Sequence, residues 1–263
     1  MKKIFLALFL SATSLFGGDF YGIIVAETEV ENIGHHVFFD AMRMNRQMGK
    51  IAKNLGREFK QIMFYDDDLV ADEIIQQIDS LELKHDDIVF FYFSGHGQQA
   101  VEHPDDPWPL MKLGGRQAIN LSTVTMKLLE KNPRLVVAMA DCCNHALSID
   151  PVELYFAFPK GEIIDDCEKE LIQVNTQKLF HDHSGLIMAS SSKAGEPSWS
   201  GMMGSFYTLY WIQALYHELR EQDTAWEMIF ERTTQRLEDK QHPQYLIIPS
   251  NEDARLTLDV LKN

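Results

Sequence analysis

Two unbroken apolar runs, each cut off by a reactive side chain, constrain this chain more than any other feature. The first, Ile88-Val89-Phe90-Phe91-Tyr92-Phe93, leads into Ser94-Gly95-His96-Gly97. The second, Leu135-Val136-Val137-Ala138-Met139-Ala140, ends in Asp141-Cys142-Cys143-Asn144. A strand-length run without polar interruption is buried on both faces, as in a parallel sheet covered by helices. Open sheets of this kind carry their chemistry just beyond the carboxyl ends of the strands. If the two strands are neighbours, an imidazole and a thiol emerge on one rim. That is the layout of a cysteine hydrolase.

The rest of the chain alternates in the same manner. Strand-like segments at 20–26, 61–65, 88–93, 134–140, 186–189 and 245–248 are separated by segments of helical spacing. Residues 37–55 place Phe38, Met42, Met48, Ile51 and Leu55 at helical intervals and close on Gly56. Asp68 is placed to cap a helix over 69–78. Further helices are expected near 123–130, 204–219 and 223–239. The region with Pro104, Pro107 and Pro109 reads as a loop, and 145–183 as a long segment of poor periodicity, a length that is usually functional or disordered. Alternation of this type implies crossover units and an α/β fold built on a mostly parallel sheet.

A thiol attacks as the thiolate, which a neighbouring imidazole promotes. Two glycines flank His96, so backbone can approach a ligand closely there. The N–H groups of Gly97 and Cys143 could then hold the oxyanion of a tetrahedral intermediate. Either residue alone fits a bland role, a turn histidine or a small buried hydrophobe. Together, each at the end of an apolar strand, they favour catalysis. Cys142, Cys143 and His145 are too tightly spaced for a tetrahedral zinc site.

These two signatures resemble those of the caspase superfamily of cysteine peptidases, most closely its metacaspase and bacterial caspase-like branch. The separation of 47 positions between His96 and Cys143 belongs to that resemblance. So do several outlying segments: Asp40-Ala41-Met42-Arg43-Met44, similar to a metacaspase helix start; Pro197-Ser198-Trp199 with Gly204-Ser205-Phe206-Tyr207, similar to the substrate-binding loop; and His242-Pro243-Gln244 before the last strand. The resemblance implies a caspase-like three-layer sandwich with six strands and helices on both faces. It implies a His96-Cys143 dyad, with Cys143 chosen over Cys142 by motif position. Asn144 stands where the family usually has His. Ser200 replaces an arginine of the aspartate-specific enzymes. An acidic pocket formed by Asp40, Ser94 and Asp141, bordered by Ser198 and Trp199, instead suits Arg or Lys, since a guanidinium is planar and always charged. Many metacaspases are activated by calcium. Asp105, Asp106, Asp165 and Asp166 match no spaced calcium loop, so no metal or other cofactor is assigned. Lys160 and Lys169 are candidate self-cleavage sites. A catalytically silent binding module, or another cysteine hydrolase or transpeptidase on a similar sheet, are the alternative readings.

Residues 1–18 follow the order of a secretory signal: Lys2 and Lys3, the apolar run 4–10, then small residues. The apolar run is too short to span a bilayer. The expectation is an exported protein, periplasmic or secreted, with a peptidase domain over 19–263 and no membrane span once the signal is removed. Three cysteines do not make a disulfide scaffold. A net charge of −15 without a basic cluster argues against nucleic acid. A polypeptide substrate is the expected partner; oligomeric state is not legible.

Overall fold

Side chains alternate across a strand, so a run that is apolar at every position must feed two cores at once. The computed structural model, which describes residues 17–100, 106–115, 117–145 and 166–262, shows this division. In chain order the elements are β1 (Phe20–Ala26), α1 (Gly34–Leu55), β2 (Phe59–Tyr65), α2 (Ala71–Asp79), β3 (Ile88–Ser94), β4 (Gly97–Gln98), β5 (Leu110–Lys112), β6 (Ala118–Asn120), α3 (Leu121–Glu130) and β7 (Leu135–Asp141). There follow α4 (Asp166–Thr176), β8 (Gly185–Ser190), β9 (Ser200–Gly201), β10 (Gly204–Ser205), α5 (Phe206–Glu218), α6 (Trp226–Leu237), β11 (Gln244–Ile248) and α7 (Asn251–Lys262).

Six strands form one sheet in the order β11-β8-β7-β3-β1-β2, parallel except for β11. From β3, Ile88, Phe90 and Tyr92 enter one core with α1, α5 and α6. Val89, Phe91 and Phe93 enter the other, with α2, α3 and α7. Every residue of β3 and β7 is buried. Burial of each such side chain contributes about 1.5–3 kcal/mol before entropy is counted, so these two strands anchor both layers. The result is the expected three-layer sandwich with a mostly parallel six-stranded sheet. No helix among the described residues is long and apolar enough to cross a membrane.

Local details depart from sequence expectation. Asp66–Asp68 forms a 3-10 turn and α2 starts at Ala71 behind Val70, with no side-chain cap, so Asp68 does not cap that helix. α1 begins at Gly34, which sets Asp40 well inside the helix and not at its start. The region with Pro107 and Pro109 contributes β5 to a small antiparallel sheet of β4, β5 and β6. The described part of 145–183 carries α4 and a π-helical turn, Gln177–His181, and α7 follows the last strand. Residues 1–16, Lys160, Asp105 and Asp165 lie outside the described residues. Lys169 lies within α4, so cleavage there requires that helix to unwind.

Register decides what meets at the rim. Ala26 pairs with Ser94, and Ser94 with Asp141, so β1, β3 and β7 end level. The residues that follow, Glu27, Gly95-His96 and Cys142-Cys143, therefore leave the sheet side by side.

Candidate active site

One cleft at that rim is lined by His96 and Cys143 together with Asp40, Ser94, Asp141, Ser198, Trp199 and Ser205. Gly97 stands at its edge, packed on the cysteine turn: a Cβ there would overlap Cys142 Sγ and the Cys143 carbonyl. Of the residues expected from sequence, Asp40, Ser94, His96, Asp141, Cys143, Ser198 and Trp199 line the cleft, and Gly97 does not. Asn32, Ile33, His36 and Val37, from the start of α1 and the turn before it, complete one wall.

Cys142 is buried in the second core beside β7, while Cys143 is half-buried at the cleft. The segment after Cys143 is tied down. Asn144 forms a bridge with Glu196, its N–H donating to the Glu196 carbonyl at 2.9 Å and its side-chain amide to Pro107 O at 2.8 Å. That bridge draws the 196–199 segment alongside the thiol. The Ser198 N–H donates to Cys143 Sγ at 3.4 Å, and Sγ stands 3.7 Å from Ser198 O. Burial pushes the Cys143 thiol up; the Ser198 N–H opposes this, Asp141 adds to it and Lys112 opposes it.

His96 makes no hydrogen bond to Cys143. Its Nδ1 lies 2.8 Å from Glu27 Oε2, and its Nε2 lies 3.5 Å from Asn32 Nδ2. A resting enzyme with a loose nucleophile–base contact is common, because the contact tightens when substrate is bound. His145 is buried and does not line the cleft; burial, then Lys112, push its pKa down.

The floor of the cleft is acidic and buried. Asp40 is 1% exposed and Asp141 4%. Asp141 Oδ2 accepts from the Thr208 N–H at 3.2 Å and Thr208 Oγ1 at 2.5 Å, and Oδ1 from Ser198 Oγ at 3.2 Å. Asp40 Oδ2 accepts from the Ser205 N–H at 2.8 Å. Its Oδ1 has no hydrogen-bond partner; Arg43 reaches only ion-pair distance, 3.5 Å. Burial drives Asp40 well above the usual carboxylate range and the nearby Asp141 drives it further, against the Ser205 N–H and Arg43. Burial also raises Asp141, opposed by surrounding serine and threonine hydroxyls. Burial thus disfavours the charged form of both carboxylates, and one Asp40 oxygen is left without a hydrogen bond.

Trp199 forms a fixed wall: its N–H donates to Gln241 Oε1 at 2.8 Å and its indole to Lys240 O at 3.0 Å. Glu27, Asn32, His36 and Thr208 were not singled out from the sequence, and Ser205 only as part of the loop resemblance. Only Glu27 carried a usable signal, an acid just past the carboxyl end of a first apolar strand.

Comparison with known proteins agrees with this architecture. No curated protein matches the chain. The crystal structure of protein GSU0716 from Geobacter sulfurreducens is similar, with a TM-score of 0.56, 14% sequence identity, and coverage of 90% of this chain and 96% of that one. At that identity the likeness concerns the fold alone. The family model Peptidase C14, caspase domain, matches residues 33–259, and within that span fall His96, Cys143 and both buried acids. The chain belongs to the caspase-domain family of peptidases.

Proposed function

We propose that this protein is a cysteine endopeptidase of metacaspase type that cleaves after Arg or Lys, exported after removal of residues 1–18. The observation that carries the reading is the single cleft shared by a half-buried thiol, an imidazole and a buried acid pair. A substrate carbonyl seated over Cys143 is attacked by Sγ as the thiol proton passes to His96 Nε2. The oxyanion accepts from the N–H groups of Gly97 and Cys143. Collapse breaks the C–N bond, and the proton leaves His96 with the departing amine. Water then hydrolyses the thioester, with its proton returning through His96 to the thiol.

The acid pair supports the specificity. A guanidinium or ammonium entering between Ser94, Ser198 and Asp141 offsets the burial that chiefly raises Asp40 and relieves its repulsion with Asp141. An aspartate side chain would add a third carboxylate to that floor. Substrate binding in this reading also offsets the cost of burying the acids, so affinity for the first pocket is electrostatic in origin.

The test is hydrolysis of fluorogenic peptides ending in Arg, Lys or Asp, with calcium and with chelator, by the chain from Asp19 and by its Cys143→Ala form. Cleavage after Arg or Lys that disappears in the variant is the expected result. Cleavage only after Asp would sink the acidic pocket. Silence on every peptide by a folded protein would favour a catalytically silent binding module.

A further inference from the structure

β1 ends at Ala26, and the next residue, Glu27, bends over the His96 turn. Its Oε2 accepts from the His96 backbone N–H at 2.8 Å and lies 2.8 Å from the ring Nδ1. The Glu27 N–H donates in turn to the Ser94 carbonyl at 3.1 Å. The side chain is only 15% exposed, so the contact is partly shielded from water. Gly95 has its own reason here. A Cβ at that position would stand 2.9 Å from Glu27 Cβ, closer than side chains tolerate, with the Phe93 ring at 3.0 Å and Glu27 Oε2 at 3.1 Å. The first glycine of Ser94-Gly95-His96-Gly97 therefore makes room for the Glu27 side chain beside Phe93.

We propose that Glu27 is the positioning residue of His96. Its carboxylate keeps the proton on Nδ1, so that the Nε2 lone pair faces the cleft, on the side marked by Asn32. When Nε2 takes the thiol proton, the ring becomes a cation and Glu27 offsets its charge. When the leaving amine takes that proton, the ring returns to the neutral Nδ1–H form. Glu27 itself is never protonated, which is the role of the acid in a Ser-His-Asp triad. The inference rests on the cysteine-peptidase reading above. It makes the site a triad in which the third member comes from β1, on the far side of β3 from the cysteine.

Two measurements test it. Nitrogen-15 imidazole spectra are taken on the full chain in its Cys143→Ala form, with His96 assigned by its loss in His96→Gln. His96 should be the Nδ1–H tautomer, and Glu27→Ala should shift it toward Nε2–H. Kinetics on a peptide ending in Arg use the native cysteine. Glu27→Ala should lower kcat about a hundredfold with KM within about threefold, and Glu27→Gln, which keeps an acceptor but not the charge, about tenfold. A merely structural role would lower thermal stability and leave the tautomer as it was. An unchanged tautomer or an unchanged kcat in folded Glu27→Ala would overturn the proposal. The isosteric Glu27→Gln carries the kinetic test if the alanine form does not fold, and a wild-type kcat there would also overturn it. If the unsubstituted enzyme cleaves no peptide, the peptidase reading fails, and the tautomer shift alone decides whether Glu27 positions His96.

Discussion

At the amino ends of β1, β3 and β7 lie Asp19, Asp86, Asp87, Arg57 and Arg134; around the carboxyl ends lie Asp40, Asp141, His96 and Cys143. Both rims bury carboxylates, and they treat them in opposite ways. Asp86 Oδ1 accepts from Arg134 Nε at 2.6 Å, and its Oδ2 lies 3.7 Å from an Arg57 amine. Asp87, fully buried, accepts from the Asp19 and Lys84 N–H groups, each at 2.7 Å. Burial pushes Asp86 up, but Arg134 and Arg57 outweigh it and hold the carboxyl low. At the other rim Asp40 and Asp141 face each other without a full complement of cations, and both are raised. Charge that serves the fold is matched within the fold. Charge left unmatched in the cleft is what the proposed Arg or Lys side chain of a substrate would match.

Substitutions should separate the two rims. The largest effect is expected from Cys143→Ala, which removes the proposed nucleophile: hydrolysis of Arg peptides should fall by roughly a thousandfold or more while Tm stays within a degree or two, checked by kinetics and calorimetry. Next comes Asp141→Asn. It withdraws one charge from the pocket and should cost about 2–4 kcal/mol of transition-state binding to an Arg peptide, read as kcat/KM, with far less change on a neutral side chain. At the opposite rim Asp86→Asn removes the carboxylate that Arg57 and Arg134 share. Denaturant titration should show a loss of about 2 kcal/mol with kcat unchanged. If activity fell as much as stability, the two rims would not be functionally separate.

The smallest effect is the most discriminating. Asp40 binds its proton more tightly folded than unfolded, so stability declines as pH rises from the ordinary value of 3.8 toward the raised folded value. Asp40→Asn should therefore raise Tm by a few degrees at neutral pH, with the gain vanishing near pH 4, and should weaken Arg cleavage. Asp86 has the opposite sign. Its folded pKa is depressed, so its contribution is present above 3.8 and is lost as pH falls through the folded value. Thermal melts of the two variants across that range should diverge in opposite directions.

How much of this was legible in the chain follows from the length scale of each interaction. β3 and β7 were legible because burial on both faces leaves no polar residue in seven successive positions of the fold, apart from the terminal Ser94 and Asp141. His96 and Cys143 were legible because they end those runs. The small sheet of β4, β5 and β6 was not, since strands of two or three residues are too short to show alternation. The cap expected of Asp68 failed because Asp66–Asp68 closes its own 3-10 turn before α2 starts, and Asp66 Oδ1 is engaged by Thr28 Oγ1 at 2.5 Å.

Sequence by itself determined the layers, the α/β alternation and the two reactive residues, because those follow from periodicity and from local chain breaks. Only the tertiary structure decided what stands beside them. The level ends of β1, β3 and β7 bring Glu27 to His96 across 69 positions of sequence, and Ser205 to Asp40 across 165. Those pairings come from strand register and helix packing, which sum weak preferences over the whole sheet and do not show in the sequence which residues they join.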